Sequence, residues 1–260
     1  MTAAGTAMPG VSEDAFLGGR LVLHQPARGY RAGVDAVLLA AAVPAPSGRP
    51  TRVLDAGCGV GTVGLCVTRR LGEAQAVLLE REPSFADLAA LNIAANHLGD
   101  RVTLVRADIG ASAAEHEALG IAPHSFDIVL ANPPFHETAD GTPASDRARA
   151  GAHAMPTGGL DRWARFMART VKSGGTAILI HKAEALAEVL GAMTPRFGAL
   201  RVLPVLPRPG EPAIRILVQG IRGSRARLTL VAPFTLHGPD GHGFTPEAEA
   251  ILRDGGSLTL

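Results

Sequence analysis

The chain has 260 residues, of which 47% are hydrophobic, so it can bury a large core without a disulfide framework or a structural metal. Its only cysteines, Cys58 and Cys66, form no CxxC pair, and no apolar run approaches the length of a membrane span. The net charge of +1 conceals a basic region, because residues 141–230 contain 14 Lys and Arg but only 5 acidic residues. These features exclude a disulfide-rich secreted scaffold and a membrane span. They favour a soluble, cytoplasmic protein with an anionic partner such as nucleic acid.

The amino-terminal part divides into a leader and an extension. Residues 1–14 are rich in small side chains and lack periodicity, which predicts a disordered leader. Residues 15–50 are expected to form an extension, in which Phe16 to His24 alternates as in a short hairpin and Tyr30 to Val43 has helical periodicity. Since no repeat and no second core follow, we assign residues 51–260 to a single domain.

From residue 51 onwards, strand and helix patterns alternate. This rhythm predicts an α/β fold with a doubly wound, mostly parallel sheet. After the fifth strand, the strand-like runs at 200–206 and 213–220 are too close together for a crossover helix, so they predict an antiparallel hairpin that completes seven strands. The predicted parallel strands are residues 52–54, 76–79, 102–105, 126–131 and 176–180, and the predicted helices are residues 61–71, 83–98, 160–171 and 183–193.

A glycine-rich loop follows the first strand of this domain. Asp55 ends the strand, and Gly57, Gly59 and Gly61 alternate before a helix, so the backbone is left bare for a ligand. Together with Gly64, the loop also fits the dinucleotide pattern G-x-G-x-x-G. The carboxylate of Asp55 would repel a pyrophosphate but would favour a ligand with an ammonium and a sulfonium group, such as S-adenosylmethionine.

Two further acidic residues end the next two strands. Glu80 follows the second strand, where it can bind ribose hydroxyls, and Asp108 follows the third. One strand-end acid alone is as easily explained as a helix cap. Three of them in consecutive strands, beside the glycines, favour a ligand pocket at the carboxyl edge of the sheet.

The fourth strand ends in a polar, rigid and aromatic segment. Asn132, Pro133, Pro134 and Phe135 form the sequence Asn-Pro-Pro-Phe, which terminates a buried run. We interpret this motif as a clamp in which the Asn132 side chain and the Pro133 carbonyl hold an amino group while Phe135 stacks on its ring. The plainer interpretation is a strand-terminating turn, and the adjacent pocket argues against it.

These motifs together resemble the signature of class I S-adenosylmethionine-dependent methyltransferases with an N/D-P-P-Y/F motif. The resemblance implies that Asp55 and the glycines line the methionine end of the cofactor, that Glu80 binds its ribose and that Asp108 approaches its adenine. Residues 18–21 and 30–39 extend the resemblance to bacterial tRNA adenine-N6 methyltransferases that modify a valine tRNA. That family implies a tRNA substrate, and it places Tyr30 and Asp35 near the methionine end.

Other functions remain open from the sequence. Glutamine-N5 methyltransferases of release factors share the motif, and a DNA adenine methyltransferase would use the same clamp. A non-catalytic cofactor-binding subunit and a nicotinamide-dependent oxidoreductase belong to different classes. The intact motif argues against the former, and Asp55 argues against the latter.

Several residues carry weaker signals. Arg147 and Arg149 lie in the long polar loop after the motif and are candidate contacts to substrate phosphates. The nine histidines have no metal-ligand spacing, so no metal is predicted, and His181 is expected to be a hydrogen-bonded strand-end residue. Trp163 and Phe166 are expected to pack one helix against the core.

Overall fold

The computed structural model describes residues 10–29, 31–45, 50–137, 154–155 and 159–260, and every structural statement below concerns these residues. The chain begins with a hairpin of β1 (Val11–Phe16) and β2 (Leu21–Pro26), followed by α1 (Val34–Ala41). The remaining elements, in chain order, are β3 (Arg52–Ala56), α2 (Thr62–Arg70), β4 (Gln75–Glu80), α3 (Pro83–Ala95), β5 (Val102–Arg106), α4 (Ala113–Ala118), β6 (Phe126–Ala131), β7 (His136–Glu137), β8 (Ala154–Met155), α5 (Gly159–Thr170), β9 (Val171–Lys182), α6 (Leu186–Met193), β10 (Phe197–Leu206), β11 (Arg215–Arg222), β12 (Thr229–Leu230), β13 (Phe234–Thr235) and α7 (Pro246–Asp254).

A central sheet of nine strands organises the fold. Its order in space is β12-β10-β11-β9-β6-β3-β4-β5, and β13 pairs with β10. Strands β5, β4, β3, β6 and β9 are parallel, whereas β11 is antiparallel to both β9 and β10. The predicted mostly parallel sheet with an antiparallel carboxyl-terminal hairpin is therefore confirmed in its seven long strands, and two strands of two residues are added beside β10.

Helices cover both faces of the sheet, as expected for a doubly wound fold. Successive strand residues alternate between two apolar cores, since side chains in an extended strand point to opposite faces. Val53 belongs to the core under α1, α2 and α3, and Leu54 belongs to the core under α5 and α6. Trp163 and Phe166 are buried in the second core, which confirms their predicted packing role.

The amino-terminal hairpin begins earlier than the predicted boundary. Val11 to Asp14 lie in β1 and pair with β2, which corrects the expectation of a leader over residues 1–14. Backbone pairing with β2 supplies hydrogen bonds that composition alone does not indicate. Helix α1 starts at Val34, after Gly33, rather than at Tyr30, which lies outside the described residues.

Two buried asparagines join this hairpin to the sheet domain. Asn92 and Asn96 are one helical turn apart, on α3 and at its end, so their side chains lie on the same face. The Asn92 side chain accepts a hydrogen bond from the His24 N–H at 2.7 Å and donates to the His24 and Val60 carbonyls at 3.0 Å. Asn96 similarly accepts from the Val22 N–H at 2.9 Å and donates to the Val22 carbonyl at 2.7 Å. The side-chain amides thus satisfy backbone groups of β2 that would otherwise be unpaired.

Replacing Asn92 should loosen the hairpin and the glycine-rich loop together. The Asn92→Ala variant leaves the partly buried backbone groups of His24 and the buried carbonyl of Val60 without their partner, and we expect a loss of about 2–4 kcal/mol in the free energy of unfolding. Denaturant unfolding measures this loss. The control is Asp87→Ala on the same helix, because the exposed Asp87–Arg106 ion pair contributes little. Equal stability of the two variants would contradict the docking role of Asn92.

None of the described helices combines the length and the apolar character needed to cross a membrane.

Candidate functional site

The carboxyl ends of β3, β4, β5 and β6 meet at one edge of the sheet, because these strands are parallel neighbours. This edge is where open α/β sheets bind their ligands. The topology therefore brings together three acidic side chains, the glycine-rich loop and the Asn-Pro-Pro-Phe motif from separate parts of the sequence.

The glycine-rich loop adopts a conformation that side chains disfavour. Gly57, Gly59 and Gly61 have φ angles of 63°, 56° and 89°, in the left-handed region. A Cβ atom at Gly57 would also lie 2.4 Å from the ring of Trp163. The bare backbone at Gly57 is thus required by the packing of α5, in addition to the expected contact with a ligand.

Asp55 is a buried carboxylate that accepts a backbone hydrogen bond. Its side chain is 1% exposed and accepts a hydrogen bond from the Gly64 N–H at 2.9 Å. Burial raises the pKa of Asp55 to about 7, the Gly64 hydrogen bond opposes the shift, and the negative charge of Glu80 adds to it. A cation placed beside this carboxylate would offset the cost of its ionisation.

Glu80 holds the loop and the turn that follows β4. One oxygen accepts the Gly59 N–H at 2.8 Å, and the other accepts the N–H groups of Arg81 and Glu82 at 2.8 Å. Burial raises the pKa of Glu80, although these backbone hydrogen bonds and Arg81 limit the rise. Glu80 therefore shapes the glycine-rich loop from the neighbouring strand.

Asp108 lies between two arginines at the end of β5. Its carboxylate binds Arg81 at 3.0 Å and Arg162 at 2.6 Å, and it accepts the Gly110 N–H at 2.7 Å. Partial burial acts to raise the pKa of Asp108, but the Gly110 and Arg81 hydrogen bonds and the charge of Arg162 outweigh it and lower the pKa. Asp108 is consequently ionised at neutral pH.

The Asn-Pro-Pro-Phe motif directly follows β6, between β3 and β9. Pro133 is buried, whereas Asn132 and Phe135 are half-buried. The guanidinium carbon of Arg215 lies 4.9 Å from the centroid of the Phe135 ring, and the ring of His181 meets Phe135 nearly perpendicularly at 5.1 Å. The aromatic ring of the motif is thus held by side chains from two other strands.

Asp35 forms an ion pair with Arg215. Its Oδ2 atom accepts a hydrogen bond from Nε of Arg215 at 2.8 Å, which links the first turn of α1 to the start of β11. The resemblance implied a place for Asp35 near the cofactor. The structure gives its carboxylate a protein partner beside Phe135.

The prediction for His181 is wrong with respect to hydrogen bonding. The residue lies near the end of β9 as expected and is 3% exposed, yet neither ring nitrogen has a hydrogen-bond partner among the described residues. Burial lowers the pKa of His181, and the nearby Pro134 backbone opposes the shift without reaching hydrogen-bond geometry. His181 is therefore a neutral ring at neutral pH.

Three predicted site residues, Tyr30, Arg147 and Arg149, lie outside the described residues. Within the described part of the chain, no three His, Cys, Asp or Glu side chains group as metal ligands. Sequence reasoning missed Arg215 and Arg162. Both are ordinary arginines in a strand and a helix, with no motif around them, so only their spatial neighbours reveal their place in the site.

Among the described residues between 159 and 230, the basic side chains are divided between two edges of the sheet. Arg215 and Arg222 stand at opposite ends of β11, so only Arg215 lies near the motif. Lys182 and Arg162 also lie on the ligand-binding side, where Arg162 is paired with Asp108. The described basic residues of this range therefore do not all contribute positive charge at the candidate site.

The residues of this edge fit S-adenosylmethionine. Asp55 and Glu80 are buried acids whose pKa values are raised, so a ligand with cationic groups stabilises their ionised forms. The negative charge of a pyrophosphate would instead destabilise the ionised forms of Asp55 and Glu80. The Thr62 hydroxyl, at the start of α2, is buried without a hydrogen-bond partner among the described residues and offers a further polar group beside the loop.

Comparisons with known proteins identify related methyltransferases. The family model described as methyltransferase small domain matches residues 32–159. A tRNA1(Val) (adenine(37)-N6)-methyltransferase from Porphyromonas gingivalis is 31% identical over 207 residues, which cover 78% of this chain and 79% of the relative. A Yersinia pestis protein of the same name is 36% identical over 110 residues, which cover 42% of this chain and 41% of the relative.

A solved structure of a predicted methyltransferase has a similar fold. The crystal structure of a predicted O-methyltransferase from Agrobacterium tumefaciens has a TM-score of 0.72 and 32% identity, and the match covers 87% of this chain and 99% of that one. The long match to the Porphyromonas relative shows the family. The chain belongs to the family of tRNA1(Val) (adenine(37)-N6)-methyltransferases.

Proposed function

We propose that this chain transfers a methyl group from S-adenosylmethionine to the N6 amine of adenine 37 in a valine tRNA, in the cytoplasm. The observation that carries the proposal is the position of Asn132 to Phe135 at the end of β6, beside β3 with its buried Asp55. A clamp for a flat amine and a pocket for a cationic donor thus lie at the same edge.

The cofactor pocket is assigned to residues from three strand ends. Asp55, Gly57, Gly59 and Gly61 face the methionine end, Glu80 faces the ribose and Asp108 faces the adenine. When bound, S-adenosylmethionine supplies an electrophilic methyl group on a sulfonium. The buried carboxylate of Asp55 favours positive charge at that end of the pocket, because little water competes with it. Tyr30 is assigned to the methionine end as well.

The clamp acts on an amine that is a poor nucleophile. The lone pair of adenine N6 is delocalised into the ring. The Asn132 side-chain oxygen and the Pro133 carbonyl each accept one N6 hydrogen, which favours a tetrahedral nitrogen and aims its lone pair at the methyl group. Positioning and electrostatics then supply most of the acceleration, and orientation alone contributes ~7–11 kcal/mol in favourable cases. Formation of the N6–methyl bond would be matched by cleavage of the sulfur–methyl bond, whose electron pair stays on the sulfur of the S-adenosylhomocysteine that leaves. The amine would then lose one proton after the transfer, so no side chain has to remove a proton beforehand.

The two remaining residues of the motif serve as a support. Pro134 makes the segment rigid, because its ring restricts the backbone. Phe135 stacks on the base, which must leave its place in the anticodon loop to reach the pocket, and such stacking is worth ~1–3 kcal/mol per base.

Arg147 and Arg149 are proposed to contact substrate phosphates. Residues 51–260 are assigned as the methyltransferase domain, and residues 11–50, from the start of β1, are assigned as its extension.

Nucleoside mass spectrometry tests the proposal directly. The purified protein and labelled cofactor are incubated with an unmodified valine tRNA transcript, and we expect N6-methyladenosine at position 37. A transcript with guanosine at that position is the matched control and should accept no methyl group.

Parallel reactions separate the open alternatives. Duplex DNA, a release-factor peptide with its glutamine and a phenolic acceptor represent the DNA, protein and O-methyl reactions, and the phenol is included because the similar Agrobacterium protein is a predicted O-methyltransferase. Methylation of one of these instead of the tRNA would overturn the proposal. Loss of N6-methyladenosine from one tRNA in cells lacking the protein would support it independently.

A further inference from the structure

Phe135 is in contact with the side chains of Arg215 and His181 before any substrate is present. The Arg215 guanidinium lies over the ring face at 4.9 Å, and His181 meets the ring in an edge-to-face arrangement with an interplanar angle of 82°. Both contacts have favourable geometries for an aromatic ring. The Arg215 guanidinium thereby covers one face of Phe135, so that face is not available to a target base.

Arg215 is itself fixed by contacts from another part of the chain. Its Nε atom donates to Asp35 at 2.8 Å, and its Nη1 atom donates to the Ile214 carbonyl at 3.0 Å. The Asp35 and Arg215 side chains are 23% and 27% exposed, so water only partly screens the pair. The guanidinium therefore stays over the ring because α1 anchors it.

His181 completes the support from β9. It is the register partner of Ile216, which follows Arg215 in β11, so the backbone pairing of the two strands places His181 and Arg215 on neighbouring strands beside the same ring. The histidine is 3% exposed, and its nitrogens bind no described residue. His181 therefore acts as a packing partner of the Phe135 ring rather than as a group that accepts or donates a proton.

We infer that Asp35, Arg215 and His181 are positioning residues that fix the ring of Phe135 and select the face on which the target adenine stacks. This inference rests on the proposed function, in which Phe135 supports the base. It differs from the role that the resemblance implied for Asp35, because the carboxylate acts through Arg215 and Phe135 instead of through the cofactor.

The inference predicts a specific kinetic pattern. A ring that is free to tilt still binds the base loosely but presents N6 to the methyl group at a poor angle, and small displacements cost large factors in rate. Loss of Arg215 should therefore lower kcat much more than it changes the affinity for cofactor or RNA.

The experiment compares full-length variants with the valine tRNA transcript. We expect Arg215→Gln to lower kcat by about 10- to 100-fold, with KM for tRNA and the Kd of S-adenosylhomocysteine, measured by titration calorimetry, within about 3-fold of wild type. Asp35→Asn should also lower kcat. Arg253→Gln is the matched control, since it removes an exposed arginine–carboxylate pair on α7 and should match wild type.

A double-mutant cycle with Phe135→Leu separates the inference from a general structural role. If Arg215 acts through the ring, Arg215→Gln should lower the single-turnover rate by less than about 3-fold in the Phe135→Leu background. An equal loss in both backgrounds would overturn the inference, and so would a loss of cofactor affinity that parallels the loss of rate.

Failure of the inference is distinguishable from failure of the proposed function. If wild type methylates the tRNA and Arg215→Gln is as active as Arg253→Gln, the positioning role is wrong and the function stands. If wild type leaves the tRNA unmodified but methylates another acceptor, the proposed function fails, and the inferred role fails with it as stated for adenine.

Discussion

The Asn132→Ala variant should lose methyl transfer and keep cofactor binding. Removing the side-chain oxygen takes away one of the two acceptors that shape the adenine amine. Loss of one such preorganised group costs about 10²–10³-fold in kcat, and we expect a loss of this size. Asn132 is only half-buried at the end of β6, so its replacement should have little effect on folding.

Two measurements made side by side test this prediction. A single-turnover methylation assay follows the rate, and isothermal titration follows the affinity for S-adenosylhomocysteine, which should stay within about 3-fold of wild type. The control variant is Asn132→Asp, which retains an acceptor oxygen and corresponds to the other form of the motif, and it should keep part of the activity. Near-normal turnover of Asn132→Ala would contradict the clamp.

Asp55→Asn should weaken cofactor binding and remove its pH dependence. The pKa of Asp55 is about 7 because of burial, and a cationic ligand favours the ionised form. Wild-type affinity should therefore increase as the pH rises through about 7. In Asp55→Asn the affinity should be at least about 10-fold lower at pH ~8 and should show no such rise, because a lost charge contact in a buried site is worth about 1–3 kcal/mol or more.

The stability of the cofactor-free protein should fall as the pH rises, whereas the affinity for the cofactor should increase. The folded state holds the Asp55 proton up to about pH 7, whereas the unfolded state releases it near the ordinary aspartate pKa of 3.8. The free energy of unfolding of wild type therefore falls as the pH rises between these values, by about 4 kcal/mol at most. Asp55→Asn retains a neutral side chain and should unfold at a higher temperature than wild type above the pKa of Asp55.

Thermal unfolding measures the predicted fall in stability with pH, and titration calorimetry measures the predicted rise in cofactor affinity. Both are carried out on either side of the pKa of Asp55, at pH ~6 and pH ~8. A variant with weaker binding and unchanged stability would show that the carboxylate is ionised without cost in the free protein. A variant with unchanged cofactor affinity would remove Asp55 from the pocket. The same two measurements on Glu80→Gln provide a comparison with Asp55→Asn, since the three backbone hydrogen bonds of Glu80 shape the glycine-rich loop from the next strand.

The sequence predicted the fold because its signals are local. Glycines at alternate positions, apolar runs and strand-end acids each depend on neighbouring residues, and parallel order then follows from the rhythm of strands and helices. The same local signals predicted the antiparallel hairpin of β10 and β11. The start of the amino-terminal hairpin was misplaced because Val11 to Asp14 owe their conformation to pairing with β2.

Several features of the site depend on contacts that are distant in sequence. The packing of Trp163 against Gly57 joins two elements far apart in the chain, and the Asp35–Arg215 pair joins residues 180 positions apart. The lack of hydrogen bonds from His181 to any described residue likewise depends on what surrounds β9 rather than on its own sequence. No spacing rule connects such residues, since each lies in an element of ordinary composition.

The sequence by itself identified the candidate site residues: the acids of three strand ends, the glycine-rich loop and the segment from Asn132 to Phe135. These assignments needed only residue type and the position of each residue at a strand end. The tertiary structure decided how the ring of Phe135 is held. Asp35, Arg215 and His181 come from three elements, α1, β11 and β9, which come together only when the whole chain folds. The orientation of a side chain depends on its packing neighbours, and those are set by the fold as a whole.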